Sequence, residues 1–134
     1  MNDNETRNAI ALTRVNYFNL AGLAQLYRLL GSATAVIAHR NDLREVLPDA
    51  SPRLQEAMRN IEQHLKAADA EMEYNLRNGI QALALADDDY PQRLKNCDDA
   101  PLVLFYKGTA SLNRARVINI VGTRHCTAYG QDLI

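Results

Sequence analysis

The sequence has 134 residues, which is enough for one ordinary hydrophobic core or for a small domain joined to part of another. Its 15 basic and 16 acidic residues give a formal net charge of -1, so any contact with nucleic acid has to be local. The polar N-terminus lacks the features of a signal peptide, and no run reaches the roughly eighteen apolar residues of a membrane span. We therefore expect a cytoplasmic protein without membrane contact.

Residues up to about Asn78 show the apolar periodicity of helices. Two helical stripes come first, and Gly31 is placed to end the second one as the residue after its C-cap. Ser32 and Asn41 are placed to cap two further short helices, and Pro48 would end the second of these. The sequence therefore predicts an all-helical domain over residues 1–78.

One long amphipathic helix is predicted from about Pro52 to Asn78. Ser51 followed by proline is typical of an N-cap and a first helical residue. Apolar side chains then recur in alternating steps of four and three residues, at Leu54, Met58, Ile61, Leu65, Ala68 and Met72. This stripe is expected to pack on the preceding short helices, and the alternative is a coiled-coil contact with a partner.

The pattern changes to that of strands and turns after Gly79. Strands are predicted at Ile80–Ala84, Leu102–Tyr106 and Val117–Val121, separated by turns rich in Asp and Pro. Nearly continuous apolar runs in the last two strands are typical of a parallel sheet covered on both faces. The predicted fold class is thus α/β, with residues 79–134 forming the first and incomplete part of a doubly wound domain.

Three residues after the third predicted strand have the chemistry of a phosphate site. Gly122 lets the backbone approach a ligand closely, and Arg124 offers a planar fork that matches phosphate oxygens. Thr123 lies between them, and Thr127 is placed to cap a following helix, whose first N–H groups have no partner within the helix. Gly122, Thr123 and Arg124 are therefore the predicted phosphate-binding residues, with an ordinary solvated loop as the alternative.

Other candidate sites are weaker. The acidic run Asp87–Asp89 is expected to be a solvated turn rather than a metal site, because consecutive carboxylates in an extended segment point in different directions. His125 beside Cys126 resembles half of a catalytic pair, but no orienting carboxylate is evident. Cys97 and Cys126 have no zinc spacing and are expected to be free thiols. No catalytic residue, metal site or cofactor is predicted.

Four pieces in a fixed order resemble the DNA processing protein A family (DprA/Smf). They are Tyr90-Pro91 with Leu94, then Asp99–Gly108, then Ile120–Arg124, and finally Thr127–Gly130. The resemblance implies a helical N-terminal domain of sterile-alpha-motif or helix-hairpin-helix type, followed by a Rossmann-like domain. It also implies that Gly122, Thr123 and Arg124 line a positively charged phosphate pocket.

The resemblance further implies a non-enzymatic function in natural transformation. Such proteins bind and protect incoming single-stranded DNA and load the RecA recombinase onto it, and a homo-oligomer is expected. The segments that would complete the sheet and supply further contacts do not follow, so an N-terminal fragment is expected. Two alternatives remain, a nucleotide-binding or nucleotide-processing Rossmann-like hydrolase and a helical protein-interaction module without a nucleic-acid role.

Overall fold

A computed structural model describes residues 3–125 and 127–133. About half of the chain is helical, with a small sheet in the second half of the sequence. The helices are α1 (Asp3–Thr13), α2 (Leu20–Leu30), α3 (Ala33–Ala38), α4 (Pro52–Arg59), α5 (Glu62–Arg77), α6 (Gln92–Lys95) and α7 (Ala128–Leu133). The strands are β1 (Gln81–Ala84) and β2 (Val103–Tyr106), and a 3-10 turn covers Leu43–Glu45.

Local capping explains several helix ends. Gly31 adopts a φ of 93° and donates its N–H to the Tyr27 carbonyl at 2.7 Å, so the predicted end of α2 is confirmed. The Ser32 hydroxyl accepts the Ala35 N–H at 3.0 Å, which confirms the predicted cap of α3. The helix expected after Asn41 is only the 3-10 turn, and no side chain caps it.

The predicted long helix is in fact two helices. Its N-terminus is as expected, since the Ser51 hydroxyl accepts the Leu54 N–H at 3.1 Å, but α4 ends at Arg59 and α5 begins two residues after Asn60. At the break the Ile61 N–H bonds to the carbonyl three residues back, at 3.3 Å, as in a 3-10 turn. The Ile61 side chain is fully buried at this turn.

The apolar stripe of this region faces the core, as expected. The exposed fractions of Met58, Ile61 and Ala68 are zero, and α5 packs along α1. Arg7 and Asp69 join the two helices through a bidentate ion pair with a closest distance of 2.6 Å. Packing on the preceding helices therefore accounts for the stripe without a coiled-coil partner.

The two strands lie where they were predicted, but they pair antiparallel. Gln81 lies opposite Tyr106 and Ala84 opposite Val103. The expected parallel arrangement is wrong for this pair, because residues 85–102 connect the strands through turns and the four-residue α6 and not through the long crossover helix that usually joins parallel strands. The third predicted strand, Val117–Val121, has no regular secondary structure.

Helix α1 lies at the centre of the molecule. It contacts α3, α5 and both strands, so apolar residues of the hairpin and of the helices belong to one core. Leu12 of α1, Ile61 before α5 and Leu102 before β2 all have at most 1% of their surface exposed. Within the part of the chain that the structure describes, no helix is long and apolar enough to cross a membrane.

Candidate nucleic-acid interface

The predicted phosphate-binding residues lie on an exposed segment just before α7. Gly122, Thr123 and Arg124 are all exposed, and the chain bends at Arg124. The Thr127 hydroxyl accepts the Gly130 N–H at 3.1 Å, so the expected helix cap is present. The order of loop, cap and helix start therefore agrees with the order predicted from the sequence, although residues 117–121 before the loop form no strand.

Within this segment the side chains differ in how they are engaged. The Thr123 hydroxyl donates to the His125 carbonyl at 3.1 Å, which orients the chain around the bend. A Cβ added at Gly122 would meet no atom within 4 Å, so the space beside this residue is open. Arg124 makes no hydrogen bond or ion pair with the other described residues, whose ion pairs involve Arg7, His39, Arg40 and Arg77.

An exposed apolar run leads into this segment. The exposed fractions are 88% for Ile118, 72% for Ile120 and 90% for Val121. Side chains of this type are usually buried, and β-branched residues favour strands. Arg124 thus follows a run of residues that have the composition of a strand but are exposed to solvent.

The other candidate residues have structural explanations. The Asp87 carboxylate accepts the Ala84 N–H at 2.8 Å at the end of β1, and the Asp87 carbonyl accepts the Tyr90 N–H at 3.1 Å, which closes the predicted turn. No group of three potential metal ligands is found between residues 3 and 125 or between 127 and 133. Cys97 is an exposed free thiol, whereas Cys126 lies outside the described residues.

Two motif residues, Tyr90 and Pro101, connect the loop after β1 to the start of β2. Tyr90 is fully buried, and its hydroxyl donates to the Pro101 carbonyl at 2.7 Å. Burial raises the pKa of Tyr90, a nearby Cys97 adds to this effect, and the positive charge of Arg28 opposes it. The tyrosine therefore ties the turn after β1 to the start of β2.

Sequence reasoning missed a set of hydrogen bonds that fasten the chain ahead of the predicted site. The Asn113 side chain accepts the Gln92 N–H at 2.7 Å and donates to the Tyr90 carbonyl at 3.1 Å. The Arg93 guanidinium donates to the carbonyls of Arg114 at 2.9 Å and Ala115 at 3.1 Å. These residues lie more than twenty positions apart, so no local pattern could have indicated the contacts.

Comparisons with known proteins agree with the resemblance read from the motifs. Residues 81–134 match the family described as DNA recombination-mediator protein A. The DNA processing protein DprA of Bacillus subtilis (strain 168) is 44% identical over 57 residues, which cover 42% of this chain and 19% of that protein. The DNA processing protein DprA of Streptococcus pneumoniae (strain ATCC BAA-255 / R6) is 31% identical over 70 residues, covering 52% of this chain and 24% of that protein.

The chain therefore spans about a quarter or less of the length of these curated relatives. No solved structure matches it. The resemblance of this chain to the DNA processing protein A family is confirmed, and the matched residues include Gly122, Thr123 and Arg124.

Proposed function

From the resemblance to the DNA processing protein A family, we propose that this chain acts in DNA recombination by binding single-stranded DNA. The contacts are to phosphates, through Gly122, Thr123 and Arg124. A phosphate contact positions a strand without reading its bases, which suits a protein that handles incoming DNA of any sequence. The match of residues 81–134 to a recombination-mediator family supports this assignment.

The proposal extends to the whole protein of which such a segment forms part. This whole protein protects single-stranded DNA and loads the RecA recombinase onto it during natural transformation. It acts in the cytoplasm as a homo-oligomer and is not an enzyme. Residues 1–78 are a domain of sterile-alpha-motif or helix-hairpin-helix type, and residues 79–134 begin a Rossmann-like domain. These assignments follow from what the family resemblance implies.

The observation that carries the proposal is the state of Arg124. Its side chain is exposed, and it has no partner among the described residues that would neutralise its charge. A guanidinium has five N–H donors in a fixed fork, which fits a phosphate in a bidentate manner. The adjacent open space at Gly122 leaves room for a ligand atom beside the backbone.

A salt titration of DNA binding tests the proposal. The chain is mixed with a labelled single-stranded oligonucleotide of roughly 20 nucleotides, which is longer than the roughly 4–16 nucleotides of a typical binding site. Because one arginine supplies few contacts, binding is expected to be weak and is measured at low salt. The logarithm of the binding constant should fall linearly with the logarithm of the salt concentration.

The variant Arg124→Ala should bind more weakly to all sequences alike and reduce the salt slope by about 0.7 units, the value of one phosphate contact on a single strand. The matched control is Arg59→Ala, which removes the same charge from the exposed face of α4. An unchanged affinity and slope in the Arg124 variant would contradict the assignment. Equal losses in both variants would show that only net charge matters.

A further inference from the structure

A long stretch of the chain has basic side chains and no acidic ones. From residue 100 to residue 131 there are four basic residues, Lys107, Arg114, Arg116 and Arg124, and no Asp or Glu. The rest of the chain carries all 16 acidic residues, so the formal charge of -1 hides a strong separation of charge along the sequence. This stretch includes the predicted phosphate-binding residues.

The structure holds two of these arginines next to a third one on α6. The Arg93 guanidinium lies against the backbone of Arg114 and Ala115, with donor–acceptor distances of 2.9 and 3.1 Å. The Asn113 side chain fastens the same loop to the start of α6. We call the exposed side chains of Arg93, Arg114 and Arg116 the clamped basic surface.

The positive charge of the clamped basic surface is not neutralised within the described part of the chain. Arg93 donates to neutral carbonyls, so its charge persists, and three of its five N–H donors stay available. The acidic residues nearest to α6 in the sequence are Asp88 and Asp89 in the turn before it, and Asp98 and Asp99 after it. None of these carboxylates forms an ion pair with the three arginines.

A second pair of hydrogen bonds holds α6 from its other end. Arg28 of α2 donates to the carbonyls of Lys95 and Cys97 at 2.7 and 2.8 Å. The helix is thus fastened to the helical part of the molecule as well as to the loop. A cation on a fixed backbone loses less conformational freedom on binding than one on a mobile loop.

We propose that the clamped basic surface is a second phosphate-contacting surface for single-stranded DNA, separate from Gly122–Arg124. The inference rests on the proposed function, because it assigns further contacts to the same strand. Arg116 precedes Arg124 by eight residues, which an extended chain spans in at most roughly 26–29 Å. That length corresponds to several nucleotides of one bound strand, and stretches of this size are typical of single-strand sites.

The test uses the double variant Arg114→Gln with Arg116→Gln. It removes two charges and leaves the loop fastened, since the bonds of Arg93 and Asn113 do not involve the side chains of Arg114 and Arg116. The matched control is Arg53→Gln with Arg59→Gln, which removes two charges from exposed positions of α4. Thermal unfolding followed by circular dichroism should give the same midpoint for both variants and the unmodified chain.

The salt slope for single-stranded DNA should fall by about 1.4 units in the Arg114/Arg116 variant, and it should change little in the control. A slope equal to that of the unmodified chain would overturn the inference, even if Arg124→Ala lowers the slope as the proposed function requires. Equal losses in both double variants would also overturn it. If the unmodified chain shows no salt-dependent binding, the proposed function fails and the inference fails with it.

Discussion

At the scale of single residues, two buried tyrosines differ in one hydrogen bond. The exposed fraction of Tyr27 is 6%, and its hydroxyl has no hydrogen-bond partner among the described residues. Tyr90 is fully buried, but its hydroxyl donates to the Pro101 carbonyl. Burial raises the pKa of both phenols, because it disfavours the charged form.

The two hydroxyls should therefore contribute differently to stability. Tyr90→Phe should lower the free energy of unfolding by about 1–3 kcal/mol, because a carbonyl loses its partner. Tyr27→Phe should leave it unchanged or raise it, because the hydroxyl removed is desolvated without compensation. Urea unfolding measures both, with Tyr74→Phe as a control at a residue that is 54% exposed. Equal losses in the two buried variants would refute this account.

At the scale of elements, the break between α4 and α5 gives Ile61 a central place. Its side chain is completely buried where the two helices meet. Ile61→Ala should cost about 2–5 kcal/mol, because the cavity left behind adds to the lost burial.

Leu76→Ala is the control for this substitution, since Leu76 is 85% exposed and should change stability by no more than about 0.5 kcal/mol. Chemical denaturation of both variants gives the comparison. A stable Ile61 variant would mean that the residue is not packed as described.

Local signals predicted the ends of these elements better than their arrangement. Gly31, Ser32 and Ser51 were identified from the sequence, because a cap depends on residues within a few positions. The break at Asn60 was not predicted, since asparagine is only mildly unfavourable in a helix and the decisive burial of Ile61 is a tertiary effect. The strand direction was missed for a similar reason, because apolar runs do not reveal which way a neighbour points.

The candidate site shows the same division. The motif around Gly122, Thr123 and Arg124 was found from residue types and order alone. The hydrogen bonds of Asn113 and Arg93 were not, since they join residues far apart in the sequence. The identity of the candidate phosphate-binding residues could be predicted here, whereas their position on the surface depends on long-range contacts of the fold.

At the scale of the whole molecule, the hairpin and the helices share a core. The division into domains of residues 1–78 and 79–134 stays a prediction. Because α1 contacts both strands, a substitution beside the strands tests whether the helices unfold independently of them. Leu102→Ala, at a residue that is 1% exposed beside β2, should lower the melting temperature of the helical circular-dichroism signal by roughly 10 °C. If the helical signal melts at its original temperature, residues 1–78 unfold as an independent unit.

The exposed run Val117–Val121 has a consequence for handling the protein. Short segments with high β-propensity, no charge and no proline are prone to aggregation. Arg116 directly precedes this run, and Arg124 follows it after Gly122 and Thr123, so both charges oppose association between copies by repulsion. Salt screens this repulsion just as it weakens contacts to phosphate, so self-association grows along the same titration. Dilute protein separates the two effects, because aggregation depends on protein concentration whereas binding to excess DNA does not.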